Sequence, residues 1–175
     1  MKPRFVIMML AGLLLAVVGA VLGDDDEGEH RGRSGPDVTP VSNDLYAKEC
    51  AACHYAYPPG LLPARSWQKL MANLSDHFGE NAELAPEDLR TLTDYMVNNA
   101  ADKANTRLSA RIARSLPSGE APLRISEVRY IAHEHDEFPA HMVTENPQVK
   151  SLSQCNACHR RADAGSFNEH DINIP

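Results

Sequence analysis

Residues 43–60 read NDLYAKECAACHYAYPPG, and five of them, Cys50 to His54, have the form C-x-x-C-H. The form returns as CNACH over Cys155–His159. It is the attachment signature of a c-type haem. Two thiols, Cys50 with Cys53 and Cys155 with Cys158, add to the haem vinyl groups. The next residue, His54 or His159, reaches the iron as proximal ligand. Cysteines three apart fall on one face of a helical turn, under one edge of a porphyrin. The chain has four cysteines, and the two motifs use them all. The expected cofactors are two covalently attached haem c groups. A zinc or disulfide reading leaves the histidine after each C-x-x-C without a role.

Outward from the first motif, Ser42 or Asn43 can cap a helix that runs through Leu45 and Tyr46 into Cys50. Tyr57-Pro58-Pro59-Gly60 must stop it, and Leu61, Leu62 and Pro63 continue an apolar, proline-stiffened loop expected to wrap one haem face. Ser66 is the candidate cap of a second helix, SWQKLMANLSDHFG. Its Trp67, Leu70, Met71 and Leu74 follow the spacing of one buried face, His77 shares that face, and Gly79 closes it. A histidine at the end of an apolar face, 23 residues after His54, is the candidate distal ligand of the first haem. The plainer alternative is a charge-favoured histidine at a helix C-terminus. Met71 and Met96 are rival ligands, because Met/His ligation is common in cytochromes c. Pro86, with Glu87 and Asp88 behind it, opens a third helix expected to reach about Ala101, striped by Leu89, Leu92, either Tyr95 or Met96, and Ala100.

In the second half, Arg107, Arg111 and Arg114 sit on a short amphipathic stretch, either solvated or paired with haem propionates. The segment RISEVRYIAHEHDEF, residues 124–138, carries His133 and His135. They are two apart and do not share a helix face, so one can ligate while the other is solvated. Little chain follows His159, so the second distal ligand should come from this upstream segment, with His170 of the tail as the outside candidate. The H-x-H pair alone makes a weak zinc or copper site. Pro147 opens the last element, whose Val149 and Leu152 precede Cys155.

The chain begins MKPRFVIMMLAGLLLAVVGAVLG: a basic start, then 19 apolar or small residues from Phe5 to Gly23. Residues 1–23 read as a signal peptide, cleaved after Ala20 or Gly23. Retained, the run is long enough to anchor the chain in a membrane. Either way the rest is expected on the far side, the periplasm of a bacterium. Residues 24–41, acidic and then Gly- and Pro-rich, read as a disordered linker in which His30 is solvated. The formal charge is −7, and loss of Lys2 and Arg4 with the leader makes it more negative. Such a chain is a poor binder of nucleic acid or anionic lipid and a better match for a basic partner protein.

Four stretches together resemble a known family, the periplasmic di-haem cytochromes c. They are YAKECAACHYAYPPGLLPARSW, LMANLSDHFGENAEL, RISEVRYIAHEHDEF and CNACHRRADAGSFNEHDINIP. The resemblance implies a mainly α fold: a class I cytochrome c-like haem domain over 42–104 and a short, loop-rich C-terminal segment over 105–175 carrying the second haem. It implies bis-histidine haems, with His54 and His77 on the first iron and His159 and His135 on the second. It implies electron donation to other redox proteins, including an oxygen-binding c-type cytochrome, and a link to a membrane cytochrome b. Two histidines per iron should give potentials below those of Met/His cytochromes. The competing function is catalysis or gas sensing at one open haem, as in di-haem peroxidases. It needs a labile distal site, whereas this chain has enough histidines to close both.

Overall fold

A computed structural model describes residues 35–175. The expected leader, residues 24–34 and His30 lie outside the described residues. The described chain is helical and, among the described residues, has no β-strand, only two isolated bridges at His77–Glu80 and His159–Ile172.

Helix α1 (Asp44–Cys50) starts where the sequence places it: the Asn43 side chain accepts from the Tyr46 amide at 2.9 Å, and Asp44 faces the positive end of the helix. It ends at the first haem cysteine. The proline loop that follows is pinned by side chains. The Tyr46 hydroxyl donates to the Tyr57 carbonyl (2.8 Å), Trp67 Nε1 to Pro59 (2.8 Å) and Ser109 Oγ to Gly60 (2.9 Å). Pro58 and Pro59 offer no N–H for backbone pairing, and these three side-chain donors tie the loop's carbonyls to Tyr46, Trp67 and Ser109.

Helix α2 (Ala64–Met71) departs from the sequence expectation at both ends. Ser66 is not its cap. The Asp102 carboxylate, distant in sequence, accepts from the Ala64 amide at 2.8 Å, so the helix begins earlier and Ser66 is buried inside it. Nor does the helix reach Gly79. It stops at Met71, and a single 3₁₀ turn over Leu74–Asp76 leads to His77. The short polar side chains there serve the local backbone: Asn73 donates to the Asp76 carbonyl, and the Asp76 carboxylate accepts from the Gly79 amide. Such bonds compete with helix.

Helix α3 (Pro86–Asn98) begins at its proline, as expected, and ends three residues short of the predicted Ala101. Asn99 turns its side chain back onto the Tyr95 carbonyl, while Ala100 and Ala101 remain buried. Helices α2 and α3 pack together and α1 lies against α3, with Tyr46 on Tyr95. Leu61, Leu62, Leu92 and Met96 are at most 2% exposed at the centre. Each buried leucine of this kind contributes roughly 2 kcal/mol. Helix α4 (Arg107–Ser115) adds Leu108 and Ile112 to the same core.

Beyond α4 the chain is looser: α5 (Arg129–Glu134), α6 (His141–Thr144), α7 (Cys155–Cys158) and short 3₁₀ turns. Past Val128 the buried hydrophobic residues are Val149 and Ala162. Residues 35–41, expected as the end of a disordered linker, are tied down at Asp37 and Val38. Val38 is fully buried, its amide donates to the Gly165 carbonyl (3.1 Å), and the Asp37 carbonyl accepts from Leu108 (3.1 Å). The Gly/Pro composition read as linker, but a valine with a place in a distant core is not free.

Candidate haem sites

Two histidine pairs face each other. The rings of His54 and His77 have centroids 6.1 Å apart and planes inclined by 25°. Those of His135 and His159 are also 6.1 Å apart, inclined by 68°. A metal–imidazole nitrogen bond is about 2 Å, and the ring centre lies roughly 1 Å beyond the nitrogen, so two imidazoles trans on one ion stand roughly 6 Å apart. Both pairs fit a six-coordinate haem iron.

The first pair is built by the ends of two helical elements. His54 follows the turn after α1, and its Nδ1 lies 2.7 Å from the Tyr55 carbonyl. A carbonyl only accepts, so Nδ1 carries the proton and Nε2 keeps its lone pair for a metal. The Tyr57 ring stacks on His54 at 5.0 Å. His77 opens a tight turn, exchanging backbone bonds with Glu80 across Phe78 (φ 58°) and Gly79 (φ 97°). Glycine takes positive φ freely, whereas the phenylalanine is held there at a cost of about 1–3 kcal/mol. Arg124 lies over the Phe78 ring at 4.1 Å, a cation–π contact that braces the turn. Burial, the His54 ring and the Arg124 charge together hold the His77 pKa below the ordinary histidine value, which keeps the ring neutral and able to ligate.

In the second pair His159 follows α7, a single helical turn that carries Cys155 and Cys158. His135 sits just past α5, with Nδ1 2.7 Å from the Ile131 carbonyl. His133 is exposed and bonds Asp136 at 3.0 Å. His170 is exposed on the 3₁₀ turn Glu169–Asp171. Thus the ring opposite His159 is that of His135. Burial and the His135 ring lower the His159 pKa, against a smaller opposing pull from Asp37. The Phe167 ring packs on His159 at 5.2 Å. The tail crosses the motif, Asn173 donating to the Cys158 carbonyl at 2.9 Å.

Burial pushes the thiols of Cys50 and Cys155 up to about 11, so neither is a thiolate at neutral pH. Met71 and Met96 are buried in the apolar core on α2 and α3. Among the arginines, Arg107 pairs with Asp37 at 2.9 Å and Arg111 bonds the Tyr130 hydroxyl at 2.9 Å.

The two sites are tied together. Tyr57, stacked on His54, donates its hydroxyl to the Ser153 carbonyl (2.7 Å), two residues before Cys155. Cys53, His54 and Tyr55 line an open cavity whose other walls include Gln154, Asn156 and Asp163. Sequence reasoning did not single out Tyr57, Phe78, Arg124 or Phe167 for these contacts. Arg124 on Phe78 and Tyr57 on Ser153 follow from long-range packing, whereas Tyr57 on His54 and Phe167 on His159 are near in sequence; the one local clue was Gly79, which marks the turn.

A mainly helical chain with two C-x-x-C-H motifs, each ending in a histidine whose ring faces a second histidine, defines a c-type cytochrome with two haems. A family model described as dihaem cytochrome c matches residues 46–167, and the chain belongs to that family. It carries two covalently bound haem c groups, for which Cys50, Cys53, Cys155 and Cys158 supply the attachment sequences. Solved structures agree. A diheme cytochrome c from Rhodobacter sphaeroides is 43% identical, over 73% of this chain and 98% of its own, with a TM-score of 0.65. A diheme cytochrome type c from Shewanella baltica is 39% identical, over 76% and 93%, with a TM-score of 0.62. No curated protein is matched.

Proposed function

We propose that the protein is an exported electron carrier that passes electrons between redox proteins through two low-potential, bis-histidine haems. His54 and His77 are assigned to the first iron, and His159 and His135 to the second. The observation that carries this reading is the pair of 6.1 Å ring separations. When bound, haem supplies a one-electron couple. With haem bound, these four histidines would hold both irons from either side, so that little would rearrange when the iron changes charge. His54 and His135 are fixed in the ligating tautomer by backbone carbonyls, which raises their basicity and favours ferric iron. That lowers the potential relative to Met/His ligation. The Tyr57–Ser153 link supports a short internal route between the haems.

The apolar run at residues 5–23 supports export, to the periplasm of a bacterium. Among the described residues, no helix is long and apolar enough to cross a membrane. The formal charge of −7 supports a basic redox partner, with association weakening as salt rises. An oxygen-binding c-type cytochrome and a membrane cytochrome b are the partners the family resemblance suggests. The test is the absorption spectrum of the reduced protein with and without carbon monoxide. Two low-spin haems that do not bind the gas are expected. Ready binding at either haem would replace this reading with an open-haem enzyme or sensor. A methionine-to-iron charge-transfer band would overturn His77 or His135.

A further inference from the structure

The four paired histidines are not oriented alike. His54 and His135 are each fixed by a bond between Nδ1 and a backbone carbonyl, both 2.7 Å. His159 Nδ1 is buried and, among the described residues, has no hydrogen-bond partner. A ligating imidazole without that bond needs another restraint on its rotation about the metal–nitrogen axis. The Phe167 ring, tilted 55° against His159 at 5.2 Å, is the aromatic neighbour on the motif's own side.

Phe167 is held in turn from far away. Its amide donates to the Asp37 carboxylate at 2.8 Å, across 130 residues of sequence. The other carboxylate oxygen takes Arg107 at 2.9 Å, and the Asp37 side chain is only 13% exposed. The strap that carries Asp37, residues 35–41, is also seated at Asp37 and Val38 through the backbone. Val38 is buried and bonds the Gly165 carbonyl, and the Asp37 carbonyl receives the Leu108 amide. Gly165 has φ +72°, and a Cβ there would strike the Val38 carbonyl oxygen, so this turn admits the strap because it is glycine. These contacts join α4, the strap and the turn behind the second motif into one clamp. The family match begins at residue 46 and does not include the strap.

With His159 read as a haem ligand, as proposed above, we propose that Asp37 is a positioning residue for the second haem. It holds Phe167 against His159 and thereby sets the angle between the His159 and His135 planes. That angle matters electronically. Near-parallel axial rings split the iron d orbitals of π symmetry and give a rhombic low-spin signal. Steeply crossed rings leave them close in energy and give a highly anisotropic one. At 25° and 68°, the two haems should be separable by electron paramagnetic resonance.

The experiment records that spectrum, with a redox titration, on the oxidised full-length dihaem protein. Wild type should show two distinct low-spin signals. A high-spin second haem would overturn the ligand reading and this proposal with it. In Asp37→Ala the highly anisotropic signal should shift and the midpoint of that haem should move, while the rhombic signal and its midpoint stay. Asp37→Asn gives up the Arg107 pair but keeps an acceptor for the Phe167 amide, and should return the spectrum toward that of the wild type. Given a wild type with two low-spin haems, three results would overturn the proposal alone. They are an unchanged second signal in Asp37→Ala, equal changes in both haems, and failure of Asp37→Asn to rescue. Should Asp37→Ala not accumulate, Phe167→Leu removes the ring and keeps the backbone bond. The same shift confined to the second haem is expected, and its absence would count against Asp37 equally.

Discussion

Both histidine pairs stand 6.1 Å apart, but their surroundings differ. The first lies beside a packed core. Leu61, Leu62, Leu92 and Met96 are nearly or wholly out of water, and α1, α2 and α3 hold one another. The second is framed by short helices and turns, with Val149 and Ala162 as the buried hydrophobics beyond Val128. Its order comes instead from single ties: Asp37 on Phe167, Tyr57 on Ser153, Asn173 on Cys158 and Asn146 on the Pro175 carbonyl. A region so poor in buried side chains depends on its cofactor for apolar contact, as small domains depend on metals or disulfides. The contrast teaches that equal ligand geometry can be reached by a preformed core or by a covalent prosthetic group that completes one.

The largest effect should come from removing one attachment site. Replacing both Cys155 and Cys158 by alanine should halve the haem content of the chain. It should also make the region after Val128 sensitive to limited proteolysis, while the earlier region survives. Fragment masses beside a pyridine haemochrome assay would show it. Digestion of the whole chain would break the comparison, because the first region would then not stand without the second haem.

Next come the distal histidines. His77→Ala and His135→Ala should each convert one haem of two to high spin, and His133→Ala neither. Spectra of the oxidised variants decide this, and a spin change at His133 alone would dissolve the second pairing.

A smaller effect, on stability, is expected within the core. Leu92→Ala should cost about 2–5 kcal/mol through lost burial and the cavity left behind, read by denaturant unfolding of the holoprotein. The loss should fall on the first region. A second-haem signal that fails at the same denaturant concentration would mean the two regions unfold as one.

The smallest is Asn43→Ala. Loss of the cap on Tyr46 should cost about 1 kcal/mol without changing either haem spectrum. A shifted spectrum would mean that the entry of α1 positions the first motif more tightly than its hydrogen bonds suggest.

Much of this was legible from residues alone. Asn43 and Pro86 announced two helix starts, because caps and prolines act within a few residues. The break at Tyr57-Pro58-Pro59-Gly60 was equally local. Ser66 misled because a capping serine is only a candidate, and Asp102, reached through the fold, took the position. The stretch before His77 had helical periodicity, but its Asn73 and Asp76 side chains found turn bonds instead. Residues 35–41 looked like linker by composition, and composition does not report that Gly165 and Leu108 wait with backbone partners.

The sequence by itself determined how many haems the chain carries and where they attach. A covalent signature of five adjacent residues needs no knowledge of the rest of the fold. It also narrowed the opposing ligands to a few histidines. Only the tertiary structure showed the His135 ring, which the family resemblance had implied, facing His159 while His133 stays exposed, and showed Phe167 packed on His159, whose Nδ1 has no hydrogen-bond partner among the described residues. The reason is distance along the chain. Opposing rings, and the aspartate that holds Phe167, lie on segments far apart in sequence. Their meeting is set by packing, which no local pattern encodes.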